Sequence, residues 1–311
     1  SSAASDVYKR QVIDFVRFCG RFLHHVELNR RPLSERFGLG EDFIVDDLIL
    51  DSGDLHDHGS SVIIMTVGES RIVYKPRNLS THVLFGRLAR RCERTVAFLP
   101  MNVSQVLECG EYGFEEFVET RDCAVPEEVC RYYRRYGQLM GLIWLLHGND
   151  MHYENIVPSG EYPQIVDFET VVTNKPKFAG RKDDAAGTVQ KIIEHSLEYS
   201  ALLPSQVPIN AQGKTIDVSA LDPSQQTMPA LCPQIMSLDS DDAHYEYHAM
   251  KLDKSSHVLT LGGKPVDPYR YRDEISRGFN AAIGALSDIG VEELRGIVKD
   301  DITIRILAVS Y

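Results

Sequence analysis

Asp150 is followed five positions later by Asn155, and twelve positions after that by Asp167. Carboxylate and amide oxygens are the hard ligands that magnesium selects, because a small divalent cation binds oxygen in octahedral geometry. In kinase-type phosphoryl transfer, two such ligands hold the metal on the nucleotide phosphates, and an aspartate ahead of them takes the proton of the attacking hydroxyl. Asp150 stands in the place of that base, and Asn155 and Asp167 in the places of the ligands. Upstream, Lys75 ends the strand-like run RIVYKP, where an ammonium can hold nucleotide phosphates. Pro76 restricts Lys75 to extended backbone and so helps to aim it. Glu169 adds a carboxylate that could hold magnesium, contact a substrate or simply cap its loop, and His152 could equally be a structural residue of its own loop. A strand lysine or an isolated D-x4-N pattern carries little alone; the set in this order does.

Elements must position these residues. From Val12 to Val26, apolar residues recur at helical spacing (Val12, Phe15, Val16, Cys19, Phe22, Leu23, Val26), predicting an amphipathic helix. Strand-like runs follow at about 43–50, 60–67 and 71–76, the last two joined as a hairpin by Gly68, Glu69 and Ser70. Ser80 is expected to cap a helix over THVLFGRLARRCER, and VLECG and FEEFV return to strand. Pro126, Glu127 and Glu128 suit the start of a long helix through Leu146. Its apolar face comprises Val129, Tyr132, Tyr136, Leu139, Ile143 and Leu146, widened by Trp144 and Leu145, with Arg134 and Arg135 expected on the wet side. The loop HGNDMHYEN then carries Asp150, and the strand YPQIVDFETVV carries Asp167. Residues 172–262, richer in Pro, Ser, Asp and Lys, read as a long insertion or activation-type segment, and its stretch SLDSDDAHYEYH as a solvated loop. A helix over EISRGFNAAIGALSDI and the apolar run TIRILAVSY follow. The pattern is that of an α+β fold.

The 311 residues are 43% hydrophobic and 25% charged, an ordinary globular composition with no self-similar repeat. With 33 Lys and Arg against 45 Asp and Glu, the net charge of −12 disfavours nucleic-acid or anionic-membrane partners. No apolar run approaches the roughly 18 residues of a membrane span. Cys19, Cys92, Cys109, Cys123, Cys130 and Cys232 fall in no zinc-site spacing and read as reduced thiols, so a cytoplasmic location is expected. The start SSAASDVYKR has neither Met nor a signal peptide, and the chain reads as a fragment.

Three stretches carry a resemblance: GDLHDHGSSV (53–62), VYKPRNL (73–79), and EEFVETRDC through HGNDMHYENIVPSGEYPQIVDFET. They resemble the dehydratase domain of class II lanthipeptide synthetases, the LanM type, most strongly over about residues 35–200. HSLEYSALLPSQ and EISRGFNAAIGAL extend the likeness. The resemblance implies a bilobal lipid-kinase or protein-kinase-like fold with ATP and magnesium between the lobes. Residues 1–35 are then an N-terminal helical segment, 36–118 an N-lobe, and 119–311 a C-lobe with an insertion at about 172–262 and no cyclase domain. It also implies a ribosomal precursor peptide, leader plus Ser/Thr-rich core, whose hydroxyls are phosphorylated and then lost by elimination, with a cyclase domain or protein as a further partner. By motif position, Lys75, Asp150, His152, Asn155 and Asp167 serve phosphorylation, and Glu169 matches the D-x-E form of the family. Asp54 and His56 would lie in a nucleotide-covering loop and act in both steps, and Arg305 would stabilise departing phosphate. The Thr that the family places six residues after this Arg is Tyr311 here, beside Ser310, so elimination is the less marked half. Alanine at Lys75 or Asp150 is expected to lower transfer by several orders of magnitude and spare the fold.

Other chemistry remains open to these residues. Asp54, His56 and His58 alternate and, if extended, share one face, as in a zinc or iron site. HG followed by D-x-H-x-x-N also resembles the aminoglycoside-kinase loop, with Asn149 inserted, which makes a small-molecule phosphotransferase the alternative enzyme. A peptide-binding pseudokinase is the third reading; the retention of Lys75, Asp150, Asn155 and Asp167 argues against it.

Overall fold

The structure, a computed structural model, describes residues 2–50, 61–173, 185–204, 207–208, 215–221, 226–236, 244–252, 257–298 and 302–304. Asp54, His56, His58, Arg305, Ser310 and Tyr311 lie outside these described residues. The chain divides into two compact units, one of Ser1–Gly86, Val103–Val118 and Asp300–Thr303, the other of Arg87–Asn102, Glu119–Lys299 and Ile304–Tyr311.

The first unit holds helices α1 (Ser2–Leu28) and α2 (Arg30–Phe37), strands β1 (Asp47–Ile49), β2 (Ile63–Val67) and β3 (Ser70–Lys75), and the start of helix α3 (Ser80–Cys92). Strands β4 (Val106–Glu108) and β5 (Gly113–Glu116) complete an antiparallel sheet in the order β1-β2-β3-β5-β4. Gly68 and Glu69 turn the β2–β3 hairpin, closed by the pair Val67 and Ser70, and Gly68 takes a positive φ of 58° that costs glycine little. The strand period of two sends Ile63, Met65, Val67, Ile72 and Tyr74 inward. Helix α1 covers them with Phe18, Phe22 and Val26, and the Phe22 ring meets Tyr74 edge-on at 5.1 Å. The expected apolar stripe is therefore corrected: Val12, Phe15, Val16 and Leu23 are exposed, because the apolar arc of α1 is wider than the face the sheet covers. Ser80 does not cap α3. Asn78 Oδ1 accepts the Ser80 N–H at 2.8 Å, and the Ser80 hydroxyl accepts from Thr303 N–H at 3.1 Å.

The second unit is built on α4 (Pro126–Leu146) and α6 (Arg272–Ile289). Both are glycine-faced where they meet: a Cβ on Gly137 would fall 2.0 Å from Ile275 O, and one on Gly278 1.8 Å from Arg134 O. Gln138, fully buried, clasps the backbone of Leu99 through both amide atoms, each at 2.8 Å. Strands β6 (Ile156–Ser159) and β7 (Tyr162–Ile165) form a hairpin beside α4. Arg135, expected on the wet face, is 4% exposed. Its guanidinium donates to Pro100 O at 2.7 Å and Glu161 Oε2 at 2.8 Å and stacks on the Tyr162 ring, so the hairpin turn supplies the partners that bury it. Arg134 pairs with Glu274 of α6 at 2.7 Å. Trp144 lies half out of the core, donating to His195 O at 3.1 Å, rather than widening the apolar face.

Within residues 172–262 the structure describes helix α5 (Ala185–Glu194), the short strands β8 (Val207–Pro208) and β9 (Thr215–Ile216), and a two-stranded ribbon of β10 (Gln226–Met236) and β11 (His244–Leu252). Strand β11 takes His244–His248 from the stretch expected to be a solvated loop. A small hairpin of β12 (Thr260–Leu261) and β13 (Lys264–Pro265) and a helix α7 (Val291–Ile297) complete the unit. The architecture is a mixed one of helices and antiparallel strands, compatible with the α+β class. Among the described residues, no helix is long and apolar enough to cross a membrane.

Candidate active site

Helix α4 ends on His147, whose left-handed backbone (φ 54°) reverses the chain, and Asp150 is left-handed too (φ 59°). Gly148 between them has no room for a side chain, since a Cβ would stand 2.8 Å from Val171 O. The loop is pinned on every side by backbone bonds: Asn149 N–H to Thr170 O at 3.0 Å, Met151 N–H to Ser200 O at 2.8 Å, and Tyr153 N–H to Val218 O at 2.9 Å. Two of these braces come from the segment expected to be an insertion.

Inside the loop, the Asn155 amide nitrogen donates to Asp150 O at 2.7 Å and lies 3.4 Å from His152 Nε2, so the side-chain oxygen is the atom with the chemistry of a cation ligand. His152 Nδ1 accepts the Glu154 N–H at 3.2 Å, so the neutral ring carries its proton on Nε2, 3.7 Å from Asp150 Oδ1. The Asp150 side chain is partly exposed, at 40%. The β6–β7 hairpin then brings the chain back: Ile156 pairs with Ile165, and Val166 N–H donates to Asn155 O at 3.0 Å. The residues on either side of this hairpin, Asn155 and Asp167, are thus neighbours. Asp167 Oδ1 accepts the Glu169 N–H at 2.9 Å, a local turn that fixes the D-x-E segment. Asp150, His152 and Asn155 lie within contact of one another, and the hairpin returns the backbone of Asp167 beside Asn155. Among the described residues, no three His, Cys, Asp or Glu side chains converge as a metal site, so only the oxygen chemistry of Asn155 and Asp167 suits magnesium.

Lys75 belongs to the first unit. It is buried, and its ammonium forms an ion pair with Glu115 Oε2. The other carboxylate oxygen of Glu115 accepts from Ser104 Oγ at 2.7 Å, and His82 Nδ1 lies 3.7 Å from it. Burial lowers the His82 pKa from 6.5 to about 4, opposed by the charge of Glu115, so the ring is neutral at pH 7. Sequence reasoning missed Glu115, His82 and Ser104. A signal existed for the first two: Glu115 stands in the strand-like run FEEFV, and His82 lies on the apolar face that Phe85 and Ala89 continue along α3.

The profile of a family described as "Domain of unknown function (DUF4135)" matches residues 4–305. The chain belongs to this family. Over 163 residues it is 31% identical to the lacticin 481/lactococcin biosynthesis protein LcnDR2 of Lactococcus lactis subsp. lactis, a match that covers 49% of this chain. The match spans 17% of the length of that protein. Together these bear out the resemblance to the dehydratase region of class II lanthipeptide synthetases.

Proposed function

We propose that this chain uses ATP and magnesium to phosphorylate Ser and Thr of a ribosomal precursor peptide, and then eliminates the phosphate to leave dehydroamino acids. The observation that supports the reading is the β6–β7 hairpin, whose Val166 N–H to Asn155 O bond of 3.0 Å returns the chain so that Asp167 follows beside Asn155, while the Asn155 amide donates to Asp150 O. Similarity to a lacticin 481/lactococcin biosynthesis protein supports the choice of a peptide over a small molecule.

In the first step Asp150 takes the proton of the acceptor hydroxyl as its oxygen bonds to the terminal phosphorus and the bond to ADP breaks. His152 orients that carboxylate. Asn155, Asp167 and Glu169 hold the metal, which when bound neutralises charge on the phosphates. Lys75 binds the phosphates. In the second step a base removes the Cα proton, the Cα–Cβ double bond forms, and the Cβ–O bond breaks with release of phosphate, a far better leaving group than hydroxide. This step is assigned to Asp54 and His56, with Arg305 stabilising the departing anion. The leader of the precursor and a cyclase domain or protein are its further partners.

The test is mass spectrometry of a Ser/Thr-rich precursor peptide incubated with the chain, ATP and magnesium. Loss of one water per modified residue is expected. Gain of phosphate without loss of water would reduce the reading to a kinase, and an unmodified peptide alongside phosphorylation of a small hydroxylated acceptor would replace it with a small-molecule phosphotransferase.

A further inference from the structure

We infer that Glu115 is the positioning residue of Lys75, and that it acts from a strand of the sheet with Ser104 locking it in place. The inference rests on the phosphoryl transfer proposed above. A lysine side chain has four rotatable bonds, so an ammonium needs a fixed counter-charge if it is to point one way. The register of β3 and β5 supplies it. Lys75 lies opposite Gly113, so Glu115, two residues on, is its diagonal neighbour on the same face. Gly113 keeps that face open, since a Cβ there would stand 2.4 Å from Leu79 Cδ1 and 2.8 Å from Leu107 O.

Glu115 has no freedom of its own. Its side chain is 2% exposed, and it accepts the Ser104 hydroxyl bond at 2.7 Å while pairing with Lys75. From α3, His82 turns Nε2 toward Ser104 O at 3.0 Å, and its neutral state leaves the carboxylate charge to Lys75. Protein kinases place the corresponding glutamate on a helix, whose movement makes and breaks the pair. Here the two partners sit on hydrogen-bonded neighbouring strands, and the helix that follows β3 contributes a histidine instead. The carboxylate that meets Lys75 is therefore carried by a strand paired with its own, not by the helix.

The experiment uses the full chain with magnesium-ATP and precursor peptide, comparing wild type with Glu115→Gln, Glu115→Asp and Ser104→Ala. Glu115→Gln should raise KM for ATP by about tenfold or more, the usual cost of losing an orienting partner, while KM for the peptide stays unchanged. Glu115→Asp should recover part of the loss, and Ser104→Ala should show a smaller rise of the same kind. A structural role alone would lower the folded fraction and leave both KM values untouched. Wild-type KM for ATP in Glu115→Gln overturns the inference. Should that variant fail to fold, an unchanged KM for ATP in Ser104→Ala overturns it. Wild type that neither binds magnesium-ATP nor phosphorylates peptide removes the proposed function and this inference together, an outcome read without any variant.

Discussion

Lys75 and Asp150 were expected to be replaceable by alanine without harm to the fold, and the structure separates them. Asp150 is partly exposed, whereas Lys75 is the counter-charge of a glutamate that has 2% of its side chain exposed. Removing one member of a buried pair strands the other, at about 3–5 kcal/mol. Lys75→Ala should therefore lower the denaturation midpoint as well as activity, and a midpoint equal to wild type would mean that Glu115 finds water or another partner. His82 gives a prediction with a pH sign. Its pKa falls from 6.5 in the unfolded chain to about 4 in the folded one, so between those values the unfolded chain binds more protons. The stability this contributes is full above pH 6.5 and is lost as pH falls toward 4, on the order of 3 kcal/mol in all. Denaturant titrations at pH 7 and pH 5 should show wild type losing more stability than His82→Gln; equal losses would show that His82 is not the titrating group. The candidate residues of the Asp150 loop could be picked out from sequence because their spacing is local. Glu115 could not, because its meaning comes from a partner forty positions away that only the sheet brings near.

Among the elements, α4 was legible to the residue, since Pro126 at its first turn and two acids behind it mark a helix start and its apolar residues keep a steady helical period. The partners of its wet side were not. Arg135 reads as a solvated charge in any sequence, and it became a buried one through Glu161, twenty-six positions on in a turn whose docking no local pattern encodes. The contact of α4 with α6 lies between these cases: Gly137 and Gly141 stand four apart, as do Gly278 and Ala282, a small-residue pattern that marks close helices. Two glycines of α6 test it against each other. At Gly284 a Cβ meets nothing within 4 Å, and alanine should stabilise the protein by up to about 1 kcal/mol through helix propensity. At Gly278 the same change forces a Cβ against the Arg134 carbonyl at 1.8 Å, and overpacking of about 3 kcal/mol or more outweighs that gain. Thermal unfolding should move the two variants in opposite directions. If both stabilise, the helices do not pack through their glycines.

On the scale of the whole molecule, the proposed function asks two half-reactions of one chain, and they make different demands on it. Transfer needs a base for a hydroxyl proton, oxygen ligands and a cation on the nucleotide; elimination needs a base for a carbon-bound proton and a cation on the departing phosphate, and no nucleotide chemistry at all. Asp150 is assigned to the first alone. Asn at that position keeps the shape of the side chain and tolerates the left-handed backbone of φ 59°, so Asp150→Asn should fold as wild type does. Offered unmodified precursor with ATP and magnesium, this variant should transfer phosphate about 10²- to 10⁴-fold more slowly than wild type. Offered a precursor already phosphorylated on serine, it should still release phosphate and leave dehydroalanine at close to the wild-type rate, read by mass spectrometry. Arg305→Ala should do the reverse, building up phosphopeptide from unmodified precursor. A variant at Asp150 that fails on both substrates would tie the two steps to one base and undo the division of labour, and wild type that leaves the phosphopeptide intact would take elimination away from this chain.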